Sequence, residues 1–295
     1  MQIEIRDLSK SYGKTIALRN VSLTIEQGMF GLLGPNGAGK STLMRIISSL
    51  LEPTSGHVLV NGLRVAENKR EIRRMLGYLP QEFGLYKRLN AMEFLDLVAD
   101  LKQVPRGKGR RREIEQVLKQ VNMWESRKQR AGGYSGGMKR RMGIAQALLG
   151  DPRLLIVDEP TAGLDPQERT RFRNLLTELS GERIVILSTH IVADIENSCN
   201  RLAILDRGKL AFVGEQKALI NKANGQVWEG IAREGELEGL RKRVQIVSTK
   251  KVDGNYLVRY IGARLAVRNA KPVAATLEDG YMVTVLGGGY ETVME

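Results

Sequence analysis

The sequence predicts an α/β fold: a mixed-sheet core, a helical block inserted at about 86–150, and a small α+β domain after about 225. Three observations predict it. The apolar run Met29-Phe30-Gly31-Leu32-Leu33 enters a glycine-rich loop and then the helical run Leu43-Met44-Arg45-Ile46-Ile47. The runs Leu154-Leu155-Ile156-Val157 and Ile184-Val185-Ile186-Leu187 flank a helical stretch at 168–179, the β–α–β alternation of a parallel sheet. Between these strand-rich regions, apolar residues recur at helical spacing over 90–103 and 111–122, and a third helix follows at 137–149.

The remaining elements follow in order. Val21, Leu23 and Ile25 alternate cleanly, and with Ile3, Ile5 and Leu8 they suggest two strands around the turn Ser11-Tyr12-Gly13-Lys14. Asn61-Gly62 centres a hairpin over 57–65. Leu76-Gly77-Tyr78-Leu79 reads as a strand ending at Pro80-Gln81, and 201–213 as a hairpin around Asp206-Arg207-Gly208. Beyond about 225 the pattern changes. A charged helix is expected at 231–243, a hairpin around Asp253-Gly254, and a last strand at 282–286. The expected domains are therefore 1–225 and 226–295.

Bulk properties exclude several classes. Hydrophobic residues make up 42% and charged residues 27%, an ordinary globular composition. No apolar run approaches the ~18–20 residues that cross a bilayer, and residues 1–6 carry no apolar signal segment. Cys199 is the single cysteine, so no internal disulfide is expected, which fits a reducing compartment. The net charge is +13, and 86–150 holds 15 Lys/Arg against 6 Asp/Glu. Its clusters at 106–112 and 127–130 fit nucleic acid, an anionic membrane surface, or a plain solvated face. Aromatic residues are only 5% and do not interleave with the basic ones as in single-strand binders.

Three motifs carry chemistry. Gly34-Pro35-Asn36-Gly37-Ala38-Gly39-Lys40-Ser41-Thr42 fits G-x-x-x-x-G-K-[ST], between strand and helix as that loop requires. Its glycines let backbone N–H groups turn inward on a phosphate chain, Lys40 reaches the β- and γ-phosphates, and the Ser41 hydroxyl ligates Mg²⁺. An apolar strand delivers Asp158 and Glu159 to a sheet edge 118 residues after Lys40. Asp158 is suited to hold Mg²⁺ through water and Glu159 to polarise an attacking water. Ser135-Gly136-Gly137 opens a helix, which is itself an anion site of free N–H groups, a hydroxyl and a positive dipole end.

With these motifs in this order, the chain resembles the ATP-binding subunits of ABC transporters over about residues 1–225. The resemblance implies a P-loop NTPase core, ATP and Mg²⁺ as bound groups, and ATP hydrolysis coupled to transport. It implies that Tyr12 stacks on adenine and that Gln81 touches Mg²⁺ and the attacking water. It assigns His190, in Ser188-Thr189-His190, to the γ-phosphate, and Gly163-Leu164-Asp165 to a loop at a dimer interface. The catalytic group is then Glu159, His190, Gln81 and Lys40, with Ser41, Gln81 and Asp158 about the metal.

The family signature usually reads Leu-Ser-Gly-Gly-Gln, and here it is Tyr134-Ser135-Gly136-Gly137-Met138. Met138 cannot offer the glutamine amide. The Tyr/Met pair, with Phe83-Gly84-Leu85-Tyr86 after Gln81, resembles ABC-2 type drug and antibiotic exporters, as does Leu277-Glu278-Asp279 near the end. The resemblance further implies a head-to-tail dimer, of two copies or with a second ATPase subunit, each site completed by Ser135 and Gly137 of the other. It implies an integral membrane permease on a separate chain, docking near 81–89 and the helical block, and a place on the cytoplasmic face of the membrane. No nucleic acid partner is expected. Two other readings stand beside this one: a soluble ABC ATPase working on ribosomes or DNA, and an importer ATPase.

Overall fold

A computed structural model describes residues 1–263, 266–267 and 269–286, so the end of the expected C-terminal domain, 287–295, lies outside the described residues. In chain order the elements are β1 (Gln2–Tyr12), β2 (Thr15–Glu26), β3 (Gly28–Leu33), α1 (Lys40–Ile47), β4 (Ser55–Val60), β5 (Leu63–Arg64), α2 (Lys69–Met75) and β6 (Leu76–Leu79). Then come α3 (Ala91–Leu101), α4 (Lys108–Gln120), α5 (Gly136–Leu148), β7 (Leu154–Asp158), α6 (Pro166–Leu179), β8 (Ile184–Thr189), α7 (Val192–Glu196), β9 (Arg201–Asp206) and β10 (Lys209–Glu215). The rest are α8 (Gln216–Asn221), β11 (Val227–Ala232), α9 (Leu237–Arg241), β12 (Gln245–Val252), β13 (Asn255–Ile261), β14 (Lys271–Pro272) and α10 (Leu277–Leu286). The chain forms two compact units, Met1–Leu210 and Ala211–Glu295, passing from one to the other within β10.

The first unit has two sheets, one of order β2-β1-β4-β5 and one of order β10-β9-β3-β8-β7-β6. In the second, β9, β3, β8, β7 and β6 run parallel. Every residue of β7 and β8 is buried, the pattern of strands covered on both faces. Helix α1 shows why the two sheets lie together. Its Leu43, Met44, Ile46 and Ile47 share one core with Ile3, Ile5 and Val21 of the antiparallel sheet and Phe30, Leu32, Ile156 and Ile186 of the parallel one. The apolar face of α1 thus fixes the loop that precedes it against the sheet edge.

The helical block is held by its own charges. Arg110 is buried, donating to Asp96 Oδ1 at 3.1 Å, to Asp100 Oδ1 at 2.7 Å and to the Val104 carbonyl. Arg106 grips Asp100 through both Nε (3.1 Å) and Nη2 (2.7 Å). These two guanidinium groups hold the Asp100 carboxyl well below the usual carboxylate range. Arg127 stacks on Trp124, 4.1 Å from the ring centroid. Part of the basic cluster read from the sequence is therefore internal cross-linking, while Lys108, Arg111, Arg112, Lys128 and Arg130 remain exposed. Cys199 is buried, and that burial pushes its thiol up to about 12, so it is an inert core residue.

Two expectations about the second unit need correction. Residues 231–243 are expected to form a charged helix; β11 (Val227–Ala232) occupies the start, and the helical part is a 3-10 turn at Glu234–Glu236 running into the short helix α9. The reason is pairing: Val227, Gly230 and Ala232 are buried as β11 lies antiparallel to β13, with Val227 opposite Ile261 and Ala232 opposite Tyr256. Residues 282–286 were expected to form a strand, and they are the end of α10. A reciprocal cap starts that helix: Asp279 N–H donates to Thr276 Oγ1 at 3.3 Å, and Thr276 N–H donates to Asp279 Oδ2 at 2.7 Å. The cap overrides the β-branched Val283-Thr284-Val285.

Asp279 also bonds Arg259 of β13, through Nε at 3.1 Å and through Nη2 at 2.5 Å. Burial pushes its carboxyl up, but the bonds from Arg259 and Thr276 outweigh that and leave it below its ordinary value. Asp279→Asn is expected to destabilise the second unit by about 1.5–3 kcal/mol, because it weakens two charge-assisted bonds and leaves Arg259 with Glu229 alone as counter-charge. Urea unfolding read through Trp228, with Trp124 replaced by Phe, measures this. The sign with pH follows from the lowered value. The Asp279 contribution is complete above the unfolded carboxyl value near ~4 and is lost as pH falls through the folded one. The variant should lack that acid-dependent loss.

Candidate active site

The parallel register brings four chain segments to one edge. Leu33, ending β3, is paired with Thr189, ending β8. Asp158, ending β7, is paired with Ser188, and Leu79, ending β6, with Val157. The residues that come next therefore leave the sheet together at its carboxyl edge, where open α/β sheets bind ligands. A cleft of about 290 Å³ lies there, lined by Ala17, residues 36–42, Gln81 and Glu159.

The loop from Gly34 to Gly39 takes its shape from backbone that a side chain would block. Gly39 has φ 105°, and a Cβ there would stand 2.5 Å from the Ala17 carbonyl oxygen. Helix α1 begins at the next residue with no side-chain cap and no acidic residue in its first turn. Its first N–H groups and its positive dipole end thus face the loop, an arrangement built for an anion.

Inside the cleft, Lys40 and Glu159 form an ion pair at 3.4 Å, both side chains 6% exposed. Lys40 Nζ also donates to the carbonyls of Gly34 (2.7 Å) and Pro35 (3.2 Å). The other Glu159 oxygen contacts His190 Nδ1 at 2.8 Å. Glu159 sits at φ 47°, the left-handed region, which costs on the order of 1–3 kcal/mol for a residue with a side chain. Three bonds hold it there: its N–H donates to the Ser188 carbonyl (2.9 Å), and its own carbonyl accepts from Arg140 Nη2 (3.1 Å) and from the Ala162 N–H (3.4 Å).

Asp158 is buried beside Ser41 and Ser188. Burial pushes its carboxyl up, and Glu159 adds to that, while the two hydroxyls and Lys40 pull it down. Its Oδ1 is buried without a hydrogen-bond partner among the described residues. A hydroxyl and a carboxylate with an orphaned oxygen are hard donors. They suit Mg²⁺, which takes one or two protein oxygens and fills the rest of its octahedron with water and phosphate.

The structure thus brings together Gly34, Pro35, Asn36, Gly37, Ala38, Gly39, Lys40, Ser41, Thr42, Gln81, Asp158, Glu159 and His190. It does not bring in the rest. Tyr12 is 47% exposed at the end of β1, under the Lys10 ammonium, and is not among the cleft-lining residues. Ser135, Gly136 and Gly137 are also absent from the cleft wall. Ser135 caps α5, its Oγ accepting from Met138 N–H at 3.2 Å. Asp165 caps α6, accepting from Glu168 N–H at 2.9 Å.

Two supporting groups were missed in the sequence. Asp194 is buried, accepts from Thr161 Oγ1 at 2.6 Å and ion-pairs Arg169 at 3.4 Å, which steadies the turns after β7 and β8. Arg140 spans the site from α5. Neither belongs to a motif; the one signal is position, Asp194 lying five residues after Thr189 and Arg140 two after Met138.

The family model for the ABC transporter matches residues 18–162. The uncharacterized ABC transporter ATP-binding protein YxlF of Bacillus subtilis is 38% identical over 247 residues, 83% of this chain and 81% of its own length. The chain belongs to the ATP-binding subunits of ABC transporters. The linearmycin resistance ATP-binding protein LnrL of the same organism is 36% identical over 225 residues, 76% of this chain and 72% of its own. Among solved structures, the ATP-binding cassette MJ0796, in a dimeric post-hydrolysis state bound to ADP and Pi, superposes with TM-score 0.65 at 28% identity, covering 72% of this chain and 98% of that one. This ABC subunit is accordingly a P-loop ATPase whose hydrolysis is coupled to transport.

Proposed function

We propose that this ABC subunit is the motor of a drug- or antibiotic-type exporter, closing on ATP with a second copy or a second ATPase subunit to drive a separate membrane permease. The observation that carries the reading is the division of the site. The cleft holds Lys40, Ser41, Gln81 and Glu159, with Asp158 and His190 beside them, while Ser135, Gly136 and Gly137 do not line it. One chain has one such loop and one such helix entry, so two chains placed head to tail would complete two sites. The dimeric state of MJ0796 supports the pairing, and the resistance role in the name of LnrL supports export of a drug-like cargo. Among the described residues no helix is long and apolar enough to cross a membrane, which is why a permease on another chain is invoked.

In this reading the N–H groups of 36–41 and Lys40 hold the phosphate chain, and Glu159, oriented by His190, accepts the proton of the attacking water. Ser41 and Asp158, with Gln81, would hold Mg²⁺, which when bound neutralises charge on the β- and γ-phosphates. Tyr12 would supply the adenine face. The γ-phosphate favours the closed pair because only that state contacts it from both sides. The permease would dock near 81–89 and the helical block, with the exposed cations of that block beneath an anionic cytoplasmic leaflet.

Co-expression with the permease encoded beside it tests the reading. The chain should enter the membrane fraction only with that permease, and ATP turnover of the complex should rise with the exported drug. Co-sedimentation with ribosomes, salt-sensitive DNA binding, or dependence on an external solute-binding protein would sink it.

A further inference from the structure

Arg140 lies on the first turns of α5, two residues beyond the signature motif, and its two terminal nitrogens each bond a backbone carbonyl. Nη1 donates to the carbonyl of Gln81 at 2.9 Å, and Nη2 to the carbonyl of Glu159 at 3.1 Å. These partners are 59 and 19 residues away in sequence, and both line the cleft. One planar fork therefore bridges the loop after β6, the turn after β7 and the signature helix.

Two further features make the bridge stiff. The same helix meets the Gln81 loop a turn later, where Phe83 Cζ stands 2.6 Å from where a Cβ on Gly143 would be. Glu159, the other partner, is in the left-handed region, a backbone state that persists only where surrounding bonds over-determine it. Burial pulls the Arg140 guanidinium down from its ordinary value, while Asp158 and Glu159 raise it, so the group is cationic and partly desolvated between them.

We propose that Arg140 is a positioning residue for hydrolysis: it locks Glu159 into its left-handed conformation and ties that conformation to the Gln81 loop and the signature helix, so that the carboxylate is aimed only when those two segments are in place. The inference rests on the assignment of Glu159 to the attacking water. A shift of the Gln81 loop pulls on the Glu159 carbonyl through one side chain, giving a partner bound at that loop a direct mechanical route to catalysis. Lysine replaces the fork only in part, because its shorter side chain ends in one nitrogen and lacks the two separate donor atoms that a planar guanidinium presents to two segments.

Hydrogen–deuterium exchange on the full chain tests the tether without requiring turnover. Arg140→Ala should speed exchange about tenfold or more in both 81–86 and 159–163, with β1 and β2 unchanged. Exchange unchanged at both segments, or raised throughout the first unit, would overturn the proposal. In ATPase assays of the permease complex, Arg140→Ala should lower kcat by about ten- to a hundredfold with KM within about threefold, and Arg140→Lys should recover only part of kcat. Equal loss in kcat and nucleotide binding, or full recovery by lysine, would also overturn it. Glu159→Gln in the same assay separates the two readings: inactive beside a normal Arg140→Ala, it sinks only the tether; fully active, it sinks the Glu159 assignment and the tether with it.

Discussion

Glu159→Gln is expected to cut ATP turnover by about a hundredfold or more while ATP binding persists and tightens. Removal of a general base costs roughly 10²–10⁴ in rate. Glutamine matches the volume of glutamate, so the turn after β7 keeps its shape and its bond to Ser188. What changes is charge. The carboxylate is 6% exposed and faces Lys40, which in the proposed function holds the γ-phosphate. Making it neutral removes repulsion against that phosphate and frees Lys40 to turn wholly toward it. The proposed closed dimer should then accumulate on ATP, whereas the wild type passes through it. Size-exclusion chromatography with ATP, beside a phosphate-release assay, measures both effects. Wild-type turnover in the variant would remove Glu159 from its role. Turnover lost together with ATP binding would mean the carboxylate organises the cleft rather than the water.

Much of this arrangement was legible in the sequence, and the reason is locality. The loop at 34–42 is contiguous, so its motif, its strand and its helix could be read together, and Asp158 with Glu159 followed from one buried strand reaching an edge. Contacts between elements were not legible. The His190–Glu159 bond joins residues 31 apart, and the two Arg140 bonds depend on how α5 lies across the sheet edge. Nothing in residues 138–141 says which arginine turns inward: Arg141 on the same turn goes instead to Glu168 at 2.8 Å.

In the second unit the hairpin around Asp253-Gly254 is where the sequence puts it, as β12 and β13, and two other elements were misread for a different reason. The unit's strands and helices are short, and pairing partners decide them. The alternation in Val227-Trp228-Glu229-Gly230-Ile231-Ala232 is weak until β13 lies beside it. In α10 the β-branched residues point to a strand, and the cap at Thr276 and Asp279 decides otherwise. Leu277-Glu278-Asp279 carried a family resemblance in the sequence; in the structure its aspartate is the cap and the Arg259 partner at once.

Lys40→Ala should have an effect as large as that at Glu159, with a different signature. Nucleotide affinity should fall together with turnover, because Lys40 is the one cationic side chain that lines the cleft among the described residues. Loss of a single preorganised donor to a transition-state oxyanion costs about 10²–10³ in rate, and the lysine adds a full charge to that. A second consequence follows from the ground state. Lys40 is the ion-pair partner of a buried Glu159, and its removal leaves that carboxylate with the His190 contact alone, at a cost of up to about 3 kcal/mol. Stability should therefore fall with activity, and loss of activity alone would not identify a phosphate ligand. The double variant Lys40→Ala with Glu159→Gln separates the two effects. With the Lys40–Glu159 pair removed as a unit and Asp158 the carboxylate still buried beside it, it should regain part of the lost stability and still bind ATP far more weakly than Glu159→Gln alone. Thermal unfolding and equilibrium nucleotide binding on the four proteins of this cycle give the coupling directly. A double variant that recovers both stability and ATP affinity would show that Lys40 serves the fold and not the phosphate.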